Sequence, residues 1–177
     1  MRLFSKTSLV ALALVASATI ASPAQAYFSA SASYFSDSYE NNLTAKGTRI
    51  NVAAGITLPI LKLNATVGPE MSYGWGTTNY SLNGKDSYRD FSIGLFARVT
   101  PKISDYINPT FGFSTGYASA SFYSSYYTPK GTYVQASAGL VFMNNFTASV
   151  SYRHTFLKTG NHKFNSDSVG FNVGVNF

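Results

Sequence analysis

The sequence predicts an all-β fold, an eight-stranded antiparallel up-and-down transmembrane β-barrel, on three observations. Large apolar and small polar residues alternate with a period of two from Tyr27 to Phe177. Charged residues make up 11% of the chain, against about 25% in an average soluble domain. The connections between alternating runs are short and long in turn.

The first 26 residues read as an export segment rather than part of the fold. Arg2 and Lys6 form a basic start, Leu9 to Ile20 an apolar run, and Ala24-Gln25-Ala26 a small-residue cleavage site. The apolar run is shorter than the ~20 residues a spanning helix needs, so the expectation is a cleaved signal peptide over 1–26 and a barrel over 27–177. The chain carries no cysteine, which excludes disulfides and thiolate metal sites.

Eight strands follow from the alternation. The last is the clearest: Val169, Phe171, Val173, Val175 and Phe177 share one face, and Ser168, Gly170, Asn172, Gly174 and Asn176 the other. The first, Tyr27 to Ser36, is the faintest, with Phe28, Ala30, Ala32 and Tyr34 on its apolar face. Between them lie runs on Ile50 to Leu58, Leu61 to Trp75, Phe91 to Val99, Ile107 to Tyr117, Val134 to Phe142 and Phe146 to Phe156. Short turns are expected at Pro59-Ile60, Pro101 to Tyr106 and Met143 to Asn145. Long polar loops are expected at Asp37 to Thr48, Gly76 to Ser87, Ser119 to Gly131 and Leu157 to Asp167, all at the opposite end.

Alternation alone does not say which face is inside, but volume does. One face holds Phe, Tyr, Leu, Ile and Val; the other is largely Gly, Ser, Thr, Asn and Ala. Eight strands enclose a lumen just wide enough for side chains to fill, so the small polar face belongs inside and the bulky face against lipid. A soluble sandwich or lipocalin-like barrel would have to fit the bulky face into that narrow core. Aromatics near strand ends, Tyr27, Phe28, Tyr73, Trp75, Tyr88, Tyr106, Tyr117, Phe156 and Phe177, are expected to form interfacial girdles.

These features, with Ala24-Gln25-Ala26, the aromatic-ended strand Val169 to Phe177 and the segment Ser151-Tyr152-Arg153, resemble the eight-stranded outer-membrane proteins of the OmpA, OmpX and opacity-protein type. The resemblance covers the chain after the export segment as a pattern, and departs from it at the ending Val175-Asn176-Phe177, where the group usually has Tyr-Arg-Phe. It implies a multi-pass barrel in the bacterial outer membrane. It also implies that Phe171, Val173, Val175 and Phe177 form the assembly signal read by the barrel-insertion machinery.

Parity points Arg49, Lys62, Glu70, Asp90, Arg98 and Arg153 into the lumen. Arg49, Glu70, Asp90 and Arg153 are expected to pair toward the loop end and plug the barrel, or else to contact lumenal water; either way no wide channel is expected. Lys46, Lys85, Arg89, Lys130, Lys158 and Lys163 give the loop end a positive excess over Asp37, Glu40, Asp86 and Asp167, suited to lipopolysaccharide phosphates. Phe122, Tyr123, Tyr126 and Tyr127 read either as a protein-binding patch or as part of the girdle.

Because some barrels of the resembled group are lipid A deacylases or acyltransferases, an enzyme is the alternative. The deacylase pattern places a nucleophilic Ser two positions after a His, and here Thr155 and Phe156 follow His154. Asp167 and Ser168 remain candidates to approach His154. Two histidines without cysteine give little support to a metal site, and no cofactor or nucleic-acid partner is expected. The resulting expectation is a monomeric, non-catalytic surface barrel whose loops contact lipopolysaccharide or host molecules in adhesion or immune evasion, with a lipid A modifying enzyme or a narrow pore as alternatives.

Overall fold

The computed structural model describes residues 24–39, 43–60, 62–81, 84–122, 128–143, 145–160 and 162–177. The expected export segment lies outside these residues apart from Ala24, Gln25 and Ala26, and so do Glu40, Tyr123, Tyr126 and Tyr127.

Eight long strands form the wall: β1 (Gln25–Tyr39), β2 (Thr44–Ile60), β3 (Leu63–Ser81), β4 (Gly84–Pro101), β5 (Ile107–Phe122), β6 (Lys130–Phe142), β7 (Phe146–Thr159) and β9 (Ser166–Asn176). A two-residue strand, β8 (His162–Lys163), pairs with the end of β7. Each wall strand pairs antiparallel with its neighbours in sequence, and β9 pairs with both β7 and β1, which closes the cylinder. Closure leaves no long unpaired edge, the condition for a sheet to sit in hydrocarbon. No helix among the described residues is long and apolar enough to cross a membrane; the crossing is made by strands.

The faces divide as side-chain volume requires. Leu95 is 65% exposed on the outer surface, and Ile93, Phe111, Phe113, Val150, Phe171 and Val173 are exposed with it. Ser29, Ser33, Thr66, Ser72, Ser92, Thr110, Ser114, Ser151 and Ser168 are buried inside. Such a surface would be strongly unfavourable in water and is stable against acyl chains. Phe28, Tyr73, Trp75, Tyr106, Tyr117, Phe156 and Phe177 are exposed, as a girdle requires.

Three expectations about the interior and the loops are corrected. Tyr27 and Tyr88 are not girdle residues: Tyr27 hydrogen-bonds inward to Asn176, and Tyr88 is buried. Lys62 does not enter the lumen, because it sits in the β2–β3 turn, exposed. Much of the expected long loops is strand, since β1 continues to Tyr39, β3 to Ser81, β5 to Phe122 and β7 to Thr159. There the inner face carries buried apolar side chains, among them Tyr39, Phe122 and Leu157, so the sheet continues past the alternating segment. The β6–β7 turn is tight, with Met143 in the left-handed region (φ 48°) and its N–H donated to the Tyr106 carbonyl (2.7 Å).

Candidate functional site

Two features stand out: a plug in the loop-side half of the lumen and a basic outer rim above it. The plug is built on cross-strand rows. On β2, β3 and β4 the register aligns Arg49, Gly74 and Asp90, so Arg49 reaches over a residue without a side chain to its acceptor. Arg49 donates from Nε to Asp90 Oδ1 (3.1 Å) and from Nη2 to Asp90 Oδ2 (3.0 Å), a bidentate charge-assisted pair. A second row aligns Glu70, Gly94, Gly116 and Tyr133, and across it the Tyr133 hydroxyl donates to Glu70 Oε1 (2.8 Å). A Cβ at Gly74 would collide with the Asp90 carboxylate, and one at Gly94 with the Tyr133 hydroxyl. The glycines are the space the polar groups need.

Of the four charges expected to pair, the structure therefore brings Arg49 and Asp90 together. Glu70 and Arg153 instead meet at Tyr133, whose ring lies 3.9 Å beneath the Arg153 guanidinium carbon. Asp37, expected among the loop charges, is buried in the lumen 3.7 Å from Arg49 and accepts from the Tyr88 hydroxyl (3.0 Å), which in turn accepts from Tyr39 (2.9 Å). Asp37 was misplaced because β1 runs past Ser36; extending the parity by one more residue of that face finds it. Parity within the expected first strand already points Phe35 inward, and the same extension finds the interior aromatics Tyr39, Tyr88, Phe122 and Tyr133, the last only 1% exposed. Phe35 lies 4.3 Å from the Arg49 guanidinium carbon, and Phe122 packs on Tyr39 and Tyr88. Phe122 is thus neither surface patch nor girdle.

Around Asp37, Tyr39, Arg49, Tyr88, Asp90 and Arg153 only about 10 Å³ remains free, the room of about one water. Below the plug, toward the turns, a cavity of about 60 Å³ is lined by Ser29, Asn51, Glu70, Arg98, Ser114, Gln135 and Asn172 among others. At its turn-side end Arg98 donates to the Tyr27 hydroxyl and to Asn176 Oδ1 (3.3 Å), and Asn176 donates to Thr147 (2.7 Å). The lumen is thus a short polar vestibule stopped by a packed wall of charge and rings.

Outside, Lys46, Arg89, Lys130, Lys158 and Lys163 are exposed at the loop end; the side chain of Lys85 lies outside what the structure describes. On the outer face His154 Nδ1 lies 2.7 Å from Asp167 Oδ1, and the Tyr152 hydroxyl donates to the same oxygen. Phe156 packs edge-on against the His154 ring, with centroids 4.4 Å apart. No cluster among the described residues offers three or more ligating side chains to a metal ion. At the last strand, Phe177 exchanges two backbone hydrogen bonds with Phe28 (2.8 and 3.0 Å), joining the chain end to β1.

An apolar girdled exterior, a closed antiparallel wall and a stoppered polar lumen define a small transmembrane β-barrel. The chain belongs to the outer membrane protein beta-barrel domain family, whose model matches residues 7–177, and it resides in the bacterial outer membrane. Among solved structures it is similar to Neisserial surface protein A, with a TM-score of 0.63 and 20% identity over 88% of this chain and 98% of that one. It is also similar to Ail, the attachment invasion locus protein of Yersinia pestis, in its complex with the heparin analogue sucrose octasulfate (TM-score 0.51, 13% identity, 88% and 100% covered). A third is the outer membrane enzyme PagL (TM-score 0.52, 13% identity, 82% and 98% covered). At these identities the likeness concerns the fold. A comparison with curated protein sequences finds no match.

Proposed function

We propose that this protein is a non-catalytic, monomeric surface barrel whose loop end contacts lipopolysaccharide and host molecules, in adhesion or immune evasion. The observation that carries the reading is the contrast between the two halves of the site. The Arg49–Asp90 pair and the Tyr133 wall leave about 10 Å³ free in the lumen among the described residues, while Lys46, Arg89, Lys130, Lys158 and Lys163 are presented outward. Short turns face the periplasm and the longer connections the exterior in barrels of this kind, which directs the basic rim to the cell surface. Export by cleavage after Ala26 and assembly through Phe171, Val173, Val175 and Phe177 belong to the same reading.

The test is binding by the intact outer-membrane protein. Cells displaying it should gain adherence to sulfated or sialylated host surfaces relative to cells lacking it, and substituting the rim lysines with glutamine should remove the gain. Equal adherence by all three strains would reject the reading.

The contact of His154 with Asp167 favours a second reading, a lipid A modifying enzyme, because an oriented imidazole at the membrane surface can serve as a base. Against it, Phe156 occupies the position where that chemistry would seat a nucleophile. A change in lipid A acyl number on overproduction would establish the enzyme.

A further inference from the structure

The outer surface of β6 is a trough with a positive lip. Along it Ala136 and Ala138 are small, whereas the residues opposite them are large: Phe113 and Phe111 on β5, Tyr152 and Val150 on β7. All four large side chains are about half exposed, so the trough is open to the bilayer. Farther toward the loop end on the same face of β6, beyond Val134 and Thr132, stands Lys130. Lys130 stands directly opposite Lys158, and Lys158 directly opposite Lys163.

Directly opposed residues of antiparallel strands project to one face with Cβ atoms about 5 Å apart, and like charges so placed repel. Lys158 shares its face with Phe156, His154 and Tyr152, which places the row on the outside. None of the three lysines has an ion-pair partner among the described residues. The nearby outer-face acid, Asp167, is taken by His154 and Tyr152. A row of three ammonium groups without an ion-pair partner among the described residues, above an apolar trough, is complementary to a phosphorylated head on several acyl chains.

We infer that the β6 trough and the Lys130–Lys158–Lys163 row seat one phosphorylated, multiply acylated glycolipid of the outer leaflet, a lipopolysaccharide molecule. Its phosphates meet the lysine row and its chains lie over Ala136 and Ala138. The assignment rests on the proposed surface role and narrows it from the whole rim to one seam.

The test uses the full folded barrel in phosphatidylcholine nanodiscs, with native mass spectrometry reading bound rough lipopolysaccharide. Each lysine near an anionic head contributes roughly a fivefold factor, so Lys130→Gln/Lys158→Gln/Lys163→Gln should weaken binding on the order of a hundredfold. Dephosphorylated lipid should bind the unaltered barrel as weakly as intact lipid binds the triple variant. Filling the trough with Ala136→Trp should also weaken binding while leaving the lysines in place. Heat-modifiable migration verifies that each variant is folded. The seam is overturned if the triple variant binds like the unaltered protein, or if inorganic phosphate alone displaces the lipid completely. If Lys46→Gln/Arg89→Gln instead abolishes binding, the rim retains its role and only this seam fails; if neither set has an effect, both readings fail.

Discussion

Arg49 and Asp90 form their bidentate pair across Gly74, which lies between them in the same cross-strand row. The pair spans three strands because the middle one contributes no side chain. Gly74→Ala should therefore displace the Asp90 carboxylate and lower stability by about 1–3 kcal/mol, the usual penalty for overpacking. Urea unfolding in detergent micelles, followed by tryptophan fluorescence of Trp75, measures it; an unchanged midpoint would show that the pair relocates freely.

The buried charges should be costly to break singly and cheap to remove together. Asp90→Asn leaves the Arg49 guanidinium with Asp37, at 3.7 Å, as its one ion-pair partner among the described residues, and a loss of about 3–5 kcal/mol is expected. Replacing all three charges, Arg49→Met/Asp90→Leu/Asp37→Asn, should lose much less. A double-mutant cycle on the same unfolding assay reads the coupling, and additive losses would contradict a true pair.

Plugging predicts electrical silence. In planar bilayers the protein should show no conductance of the size of a large porin, because only about 10 Å³ is free around the charged residues. Removing both halves of the wall, Arg49→Ala with Tyr133→Ala, should produce small, measurable steps. Porin-sized current through the unaltered protein would refute the closed lumen.

Lipid contact predicts a sign for surface charge. Leu95 is the most exposed large hydrophobic of the β4 outer face, and Leu95→Arg should lower the stability of the assembled barrel by roughly 2–4 kcal/mol in a bilayer. The substitution Ser114→Ala on the neighbouring inner face should have little effect by comparison. Folding titrations into vesicles distinguish the two; an indifferent Leu95→Arg would mean that this face does not meet acyl chains.

Deleting Phe177 should impair closure, since it removes both backbone hydrogen bonds to Phe28 and the ring contact at 6.2 Å. The expected readout is a reduced folded fraction on unboiled gels, with Phe177→Tyr restoring it because the backbone bonds and an aromatic body both return. Full assembly of the truncated chain would show that β1 and β9 close without this contact.

How much of this was legible in advance depended on how local the signal is. The outer face of β9, Val169 to Phe177, and the short turn at Met143 to Asn145 were readable because strand periodicity and turn chemistry act within a few residues. The interior positions of Arg49, Glu70, Asp90, Arg98 and Arg153 were readable from parity in the same way. Asp37 and Tyr39 read as loop because polar composition there resembles irregular chain, although the sheet continues, whereas Tyr88 reads as a girdle ring because it stands at a strand end, although it is buried in the lumen.

The sequence by itself determined the barrel, its inside and its outside, because a two-residue period with unequal volumes admits one arrangement in lipid. Only the tertiary structure decided who meets whom: Arg49 with Asp90 over Gly74, Tyr133 with Glu70 over Gly94 and Gly116, and Lys130 beside Lys158 and Lys163. Those partners are set by the register of neighbouring strands. A register is a property of pairs of strands, settled by closure of the whole cylinder, and no single stretch of residues encodes it.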